Sequence, residues 1–190
     1  MVYKIEFISA TSALELSAQI RANWVKCDEV IDSNELVIEA TDLQVYLAAR
    51  VKEKQVGLLN LKFPYSANAH IGWLGVLLDY QGQGARTSLI HAAYVYAKQQ
   101  RVQTMTVAVV TPDKENNDYL KSYQFYEKHG FQPLLNGSSE AGMVYMLKPL
   151  YAFGQIHLAQ KLKFSKLSSL KRGAGNEIKR RLLGTSIYWL

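Results

Sequence analysis

Cysteine is nearly missing from this chain: Cys27 is the only one in 190 residues. One thiol closes no internal disulfide and builds no cysteine-rich metal site. It lies in a helical pattern and reads as a packed thiol rather than a nucleophile. No apolar run approaches the roughly 20 residues needed to cross a bilayer. The N-terminus, Met1-Val2-Tyr3-Lys4-Ile5-Glu6, lacks the charged-then-apolar organisation of a secretion signal. His91 and His129 have no partners at metal-ligand spacing, and no Cys/His/Asp cluster of the kind zinc requires occurs. The expectation is a soluble, cytoplasmic chain that uses no metal and has no membrane contact.

Acidic charge is also scarce in one region. Residues 151–190 hold eight Lys+Arg and a single acidic residue, Glu177, whereas residues 1–150 hold 14 against 15. The chain's net charge of +6 therefore comes from its last forty residues. This asymmetry predicts a near-neutral domain over 1–150 followed by a basic C-terminal extension over 151–190.

What is present begins with Leu77-Leu78-Asp79-Tyr80-Gln81-Gly82-Gln83-Gly84-Ala85-Arg86-Thr87-Ser88-Leu89-Ile90. An apolar run, 71–78, feeds a glycine-bearing turn. The turn opens a helical pattern with apolar residues at Leu89, Ile90, Ala93 and Ala97. Free N–H groups of a first helical turn, aided by the helix dipole, favour an anion. Glycines at 82 and 84 let backbone approach a phosphate with no Cβ in the way. A dinucleotide fingerprint needs a third glycine where Thr87 stands. A triphosphate loop needs Lys-Ser or Lys-Thr after a glycine, and none follows here.

The remaining pattern predicts alternating elements. A strand is expected over 3–8, then a helix from near Ala13 to Lys26, capped by Thr11 or Ser12 with Glu15 as capping-box partner. Residues 33–40 read as a short helix or a strand. A hairpin joins 45–51 to 55–63 around Lys52-Glu53-Lys54. Pro64 ends its second strand, and 64–68 is a loop. The run Val102 to Val110, rich in Val and Thr, is a buried strand. Asn116 or Asn117 caps a late helix that exits through Gly130. A last strand covers 142–147, closed by Pro149.

That late helix contains Tyr123-Gln124-Phe125-Tyr126-Glu127-Lys128-His129-Gly130-Phe131. It is similar to Phe/Leu-Tyr-Glu-Lys-x-Gly-Phe, a stretch of the GNAT family, the GCN5-related N-acetyltransferases. The glycine turn resembles the same family's Gln/Arg-x-x-Gly-x-Gly/Ala signature, with Gln81, Gly82, Gln83, Gly84 and Ala85 in register. Arg86 departs from it, since the family keeps a small residue there. It could add a phosphate contact or point away. The two motifs occur in the family's order and flank one strand. The resemblance implies an α/β (α+β) class, the acyl-CoA N-acyltransferase fold: a mixed, mostly antiparallel sheet flanked by helices.

The resemblance further implies acetyl-CoA as co-substrate and acetyl transfer to a primary amine by direct attack in a ternary complex. Gln81, Gly82, Gln83, Gly84, Ala85 and Arg86 would hold the pyrophosphate. Val76, Leu78 and their backbone would serve the thioester carbonyl. Tyr126 matches the tyrosine that protonates the departing thiolate, and a phenol is acidic enough for that. Tyr119, Tyr123 and Tyr126 also form one helix face, and an aromatic stripe is commonly core. The family's asparagine seven residues earlier is Tyr119 here. Its glutamate on the strand before the glycine turn is absent, for Lys62 to Leu78 contains no carboxylate. His70 is the group there that titrates near neutral pH: a candidate base or an exposed strand-end histidine. Glu127, Lys128 and His129 read as a solvated helix face.

In the extension, the lysines of Leu158 to Leu167 collect on no single face, unlike a membrane-lying helix. Ile187-Tyr188-Trp189-Leu190 would prefer burial, on the domain or on a second copy, which allows a homodimer. Alternatively the basic residues contact nucleic acid or ribosome. Two other readings stand beside the enzyme: a module that binds acyl-CoA without turnover, and a domain whose tail brings it to RNA- or ribosome-linked substrates. The acceptor amine is not legible.

Overall fold

Along Thr104–Val110 every second side chain is buried, namely Met105, Val107 and Val109. That period places the strand in a sheet with the two faces unequally covered. In the computed structural model, residues 1–22, 43–111, 117–138 and 142–151 are described. Met1–Leu150 forms one compact unit. Its strands are β1 (Lys4–Ile8), β2 (Gln44–Val51), β3 (Lys54–Tyr65), β4 (Asn68–Val76), β5 (Thr104–Val110), β6 (Gln132–Ser138) and β7 (Met143–Pro149). Its helices are α1 (Ala10–Ala22), α2 (Ala85–Gln99) and α3 (Asn117–Lys128).

The seven strands form one sheet in the order β1-β2-β3-β4-β5-β7-β6. Neighbours run antiparallel except β4 and β5, which are parallel. The β4–β5 crossover passes through α2, as a parallel connection requires. A Cβ on Gly57 would meet Leu89 of α2, and one on Gly75 would meet Ile20 of α1. The two helices therefore cover opposite faces. The core between them holds Val56, Leu58, Leu59, Leu61, Leu89 and Met105, all fully buried.

The expected class and most elements are found, with corrections at their ends. Helix α1 starts at Ala10, not Ala13: Ser9 caps it, its Oγ accepting from the Ser12 N–H at 3.1 Å. An oxygen one turn earlier satisfies the same orphan donors. Pro64 does not end β3, which runs to Tyr65. The β3–β4 register breaks between Lys62 and Tyr65, so no ladder bond is asked of the proline. The strand before the glycine turn spans 68–76 rather than 71–78, and Leu78–Tyr80 is a turn of 3-10 helix. Only Ser66 and Ala67 separate β3 from β4. Strand β6 has no counterpart among the expected elements; Pro133, Asn136 and Gly137 favour turns locally, and at the sheet's edge they are tolerated.

The expectations for Cys27, for the end of the first helix, for residues 33–40, for Asn116 and for residues 152–190 lie outside the described residues. Among the described residues no helix is long and apolar enough to cross a membrane. No group of three His, Cys, Asp or Glu side chains comes together there as a metal ion would need.

Candidate active site

Strands β4 and β5 pair only from Asn68↔Thr104 to Ile71↔Val107. Beyond that point β4 continues through Gly72 to Val76, and β5 through Ala108 to Val110, without each other. Each strand stays paired on its other side, β4 with β3 and β5 with β7. The two backbones thus open a slot whose facing N–H and C=O groups have no ladder partner in the neighbouring strand. Such groups need satisfaction, which an extended ligand can give.

The cause lies in β3 and β4. Asn60 pairs with Trp73 while Leu61 pairs with Ile71, so Gly72 is an extra residue in β4. A β-bulge bends its strand, and this one falls where β4 leaves β5. A side chain here would have to displace its neighbours: a Cβ at Gly72 would stand 2.7 Å from Asn60 Oδ1 and 3.0 Å from Lys62 Cε. Sequence reasoning missed both the slot and the bulge. An isolated glycine inside an apolar strand was the available signal.

The glycine turn closes the open end of the slot. Gly82 (φ +72°) and Gly84 (φ +91°) are both left-handed, and nothing lies within 4 Å of where their Cβ atoms would be. Glycine is required here by backbone conformation, and the space beside it is open. Gly84 caps α2 without any side-chain hydrogen bond. Ser88 makes the first helical bond, to Gly84 O at 3.0 Å. Helix geometry leaves the earlier N–H groups of Ala85, Arg86 and Thr87 without partners in the helix. The side chains of Gln81 and Gln83 bond back to nearby backbone: Gln81 Nε2 donates to Val76 O at 3.4 Å, and Gln83 Nε2 donates to Asp79 O at 2.7 Å. Leu78 is exposed in the 3-10 turn, while Val76 is buried at the strand end.

His70 stands one pair inside the closed end of the slot, opposite Thr106. Its Nδ1 lies 3.1 Å from Thr106 Oγ1. It is not an exposed strand-end histidine. Burial, followed by the nearby Lys62 charge, holds its imidazole below the usual range. It is therefore neutral near pH 7 and able to accept a proton. Asn60, Lys62, His70 and Thr106 share the sheet face that α1 covers, joined there by Asn68, whose side chain bonds Thr106 Oγ1 at 3.0 Å.

Tyr126 of α3 is 5% exposed, between Phe125 (5.3 Å, edge-on) and Phe131 (5.5 Å, edge-on). Burial pushes its phenol above the usual value, and the adjacent Arg86 guanidinium opposes that rise by charge and hydrogen bonding. Arg86 neither points away nor stands alone at the turn: its Cζ lies over the Phe125 ring, 4.1 Å from the centroid. His129 is not part of a solvated face either, since its ring packs on Phe125 at 4.3 Å and Nδ1 lies 2.7 Å from Phe125 O. Glu127 and Lys128 are exposed. Gly130 makes the left-handed exit of α3 at φ +83°.

A cleft of about 410 Å³ opens at the other end of the strands, by Phe63, Tyr65, Tyr96 and Gln100. Among the described residues no charged one lines it, and it lies by the C-terminal end of α2, away from the glycine turn at the helix's start.

Residues 42–133 match the family model described as acetyltransferase (GNAT) domain. No curated protein matches the chain. Solved structures with the same fold include the ribosomal-protein-S18-alanine N-acetyltransferase of Escherichia coli, 16% identical with a TM-score of 0.59, covering 80% of this chain and 96% of that one. The PaiA N-acetyltransferase of Thermoplasma acidophilum, in complex with coenzyme A, is 16% identical with a TM-score of 0.59, covering 78% and 99%. A GNAT family acetyltransferase of Elizabethkingia anophelis with acetyl-CoA bound is 15% identical with a TM-score of 0.54, covering 77% and 97%. A splayed mixed sheet with a glycine turn at the mouth of the slot is thus the acyl-CoA N-acyltransferase fold. Over residues 42–133 the chain is similar to the GNAT acetyltransferase domain.

Proposed function

We propose that this chain is an acetyl-CoA-dependent N-acetyltransferase that moves the acetyl group to a primary amine by direct attack within a ternary complex. The observation that carries this reading is the conjunction of the slot and the turn. The open part of β4, from Gly72 to Val76, is roughly 16 Å of strand, comparable to an extended pantetheine arm. It ends at free helix N–H groups suited to a pyrophosphate. The coenzyme A and acetyl-CoA complexes of similarly folded proteins support this placement.

Gly82, Gly84, Ala85 and Arg86 then hold the pyrophosphate end, chiefly through backbone. Unpaired β4 donors near Val76 polarise the thioester carbonyl. Neutral His70, at the closed end, accepts the proton that the attacking ammonium must lose. Tyr126, kept protonated by burial, returns a proton to the departing sulfur. Residues 1–150 form the catalytic unit, and 151–190 are an appendage with a separate role.

Calorimetric titration of acetyl-CoA into the intact chain and into Gly84→Glu tests the binding half. The expected result is micromolar binding that the variant loses. A screen of amines with Tyr126→Phe tests the chemistry: binding stays, and turnover falls by about 10²–10⁴. Binding with no turnover on any amine would favour an acyl-CoA-binding module instead. No binding to the intact chain would remove the proposal.

A further inference from the structure

We infer that Thr104, Asn68 and Thr106 donate hydrogen bonds in one direction toward His70 Nδ1, so that Asn68 and Thr106 are positioning residues that fix the ring as its Nε2–H tautomer. The atom that takes up a proton is then Nδ1, behind the Thr106 hydroxyl. This rests on the proposed role of His70 as proton acceptor and names the route to it.

The register brings the four residues together. Asn68 stands opposite Thr104 and His70 opposite Thr106, in the short stretch where β4 and β5 pair. Side chains two apart on a strand share a face. Thr104 Oγ1 lies 3.0 Å from Asn68 Oδ1, Asn68 Nδ2 donates to Thr106 Oγ1 at 3.0 Å, and Thr106 Oγ1 lies 3.1 Å from His70 Nδ1.

A hydroxyl has one proton to give. Thr104 has two acceptors in reach, Asn68 Oδ1 at 3.0 Å and Ala67 O at 3.4 Å. Thr106 also has two, His70 Nδ1 at 3.1 Å and Asn68 Oδ1 at 3.4 Å. The shorter bond is the stronger in each case. The longer Thr106 option competes further with the Asn68 amide, which already donates to the same Oγ1. Nδ1 therefore accepts, and a neutral imidazole then carries its proton on Nε2. Burial, followed by the charge of Lys62 across the β3–β4 ladder, keeps the ring neutral, so its tautomer matters.

Thr106 is half-buried and precedes Val107, the last residue of β5 paired with β4. Ala108 and the exposed Gly72 follow at the start of the slot and put only one methyl group there. An amine entering at that point gives a proton to the remaining lone pair of Oγ1 as Oγ1 gives its own to Nδ1. The amine nitrogen keeps the electron pair of the broken N–H bond. Thr106 stays a neutral hydroxyl, and the ring becomes an imidazolium with N–H at both nitrogens. An amine meeting Nε2 directly would find a donor rather than a base.

The test isotope-labels the imidazole nitrogens of the full chain and reads the His70 tautomer by NMR at about pH 9, where imidazole is neutral. His70 is recognised among the four histidines by its loss in His70→Asn. The expected result is Nε2–H in the wild-type chain, inverted to Nδ1–H in Asn68→Asp. A carboxylate only accepts, so it draws the Thr106 proton to itself and leaves Oγ1 to accept from Nδ1–H. Nδ1–H in the wild-type chain, or a tautomer unmoved by Asn68→Asp, overturns the inference. If Asn68→Asp does not fold, Thr106→Val decides: it keeps the shape and removes the hydroxyl, so a mixture of tautomers is expected, and an unchanged single tautomer overturns the inference. The readout needs no acetyl transfer, so a failed amine screen bears on the proposed activity and not on this relay.

Discussion

The pairing of Ile71 with Val107 is the last that β4 and β5 make, and Gly72 is the next residue. The bulge and the opening of the sheet are thus one event. Gly72→Ala forces a methyl to within 2.7 Å of Asn60 Oδ1. The expected cost is about 1–3 kcal/mol, as for other overpacked interiors. Thermal melts report it. Combining the change with Asn60→Ser should recover part of the loss, because the collision is with that side chain. Full additivity of the two changes would contradict the assignment.

Gly84 separates conformation from charge. Gly84→Ala and Gly84→Glu share the left-handed strain, about 1–2 kcal/mol for a non-glycine residue. The Cβ of either meets no neighbour, since nothing lies within 4 Å of it. Both variants should lower the melting temperature similarly. Only the glutamate should also repel an anionic ligand from the free N–H groups of α2. Equal loss of acetyl-CoA binding in the two would mean that strain, not charge, closes the site.

His70 gives a pH dependence with a definite sign. Its folded-state pKa is depressed by burial and then by Lys62. The unfolded chain therefore takes up a proton first as pH falls. Stability is full above the unfolded value of about 6.5 and is lost as pH falls toward the folded value. His70→Asn should flatten denaturation midpoints between pH 7 and pH 5. A slope unchanged by the substitution would assign the dependence to another group.

Glu6 does the same in more acid solution. Gln55 Nε2 donates to its Oε1 at 2.9 Å, and Arg50 meets the same oxygen through Nε at 2.9 Å and Nη2 at 2.7 Å. The Gln55 bond is the largest effect and lowers the carboxyl's pKa; burial, next in size, opposes it, and the Arg50 hydrogen bond and charge add to the lowering. The resulting stability is present above the unfolded value of about 4.3 and disappears as pH falls through the folded one. Glu6→Gln should lower the melting temperature at pH 7 and leave it nearly unchanged at pH 3. The ion pair ties edge strand β1 to the β2–β3 hairpin, so the loss should appear first in exchange of β1 amides.

Much of the architecture was readable along the chain. Alternation in 104–110, the apolar run into Gly82, and Gly130 after a helix each act through neighbours within a few residues. The helix start at Ser9, the passage of β3 through Pro64 and the existence of β6 were not, because each depends on what lies beside the segment. Pro133 and Gly137 are turn residues by local preference and strand residues only at a sheet edge.

The candidate site divides in the same way. The glycine turn is local: φ angles near +72° and +91° demand glycine whatever the surroundings. The alternation that builds the strands is local too. The slot, the burial of His70 against Thr106, and the reach of Arg86 over Phe125 join residues some 36 to 39 positions apart. Local preference carries no information about such pairs, since loop closure and packing alone decide which distant side chains meet.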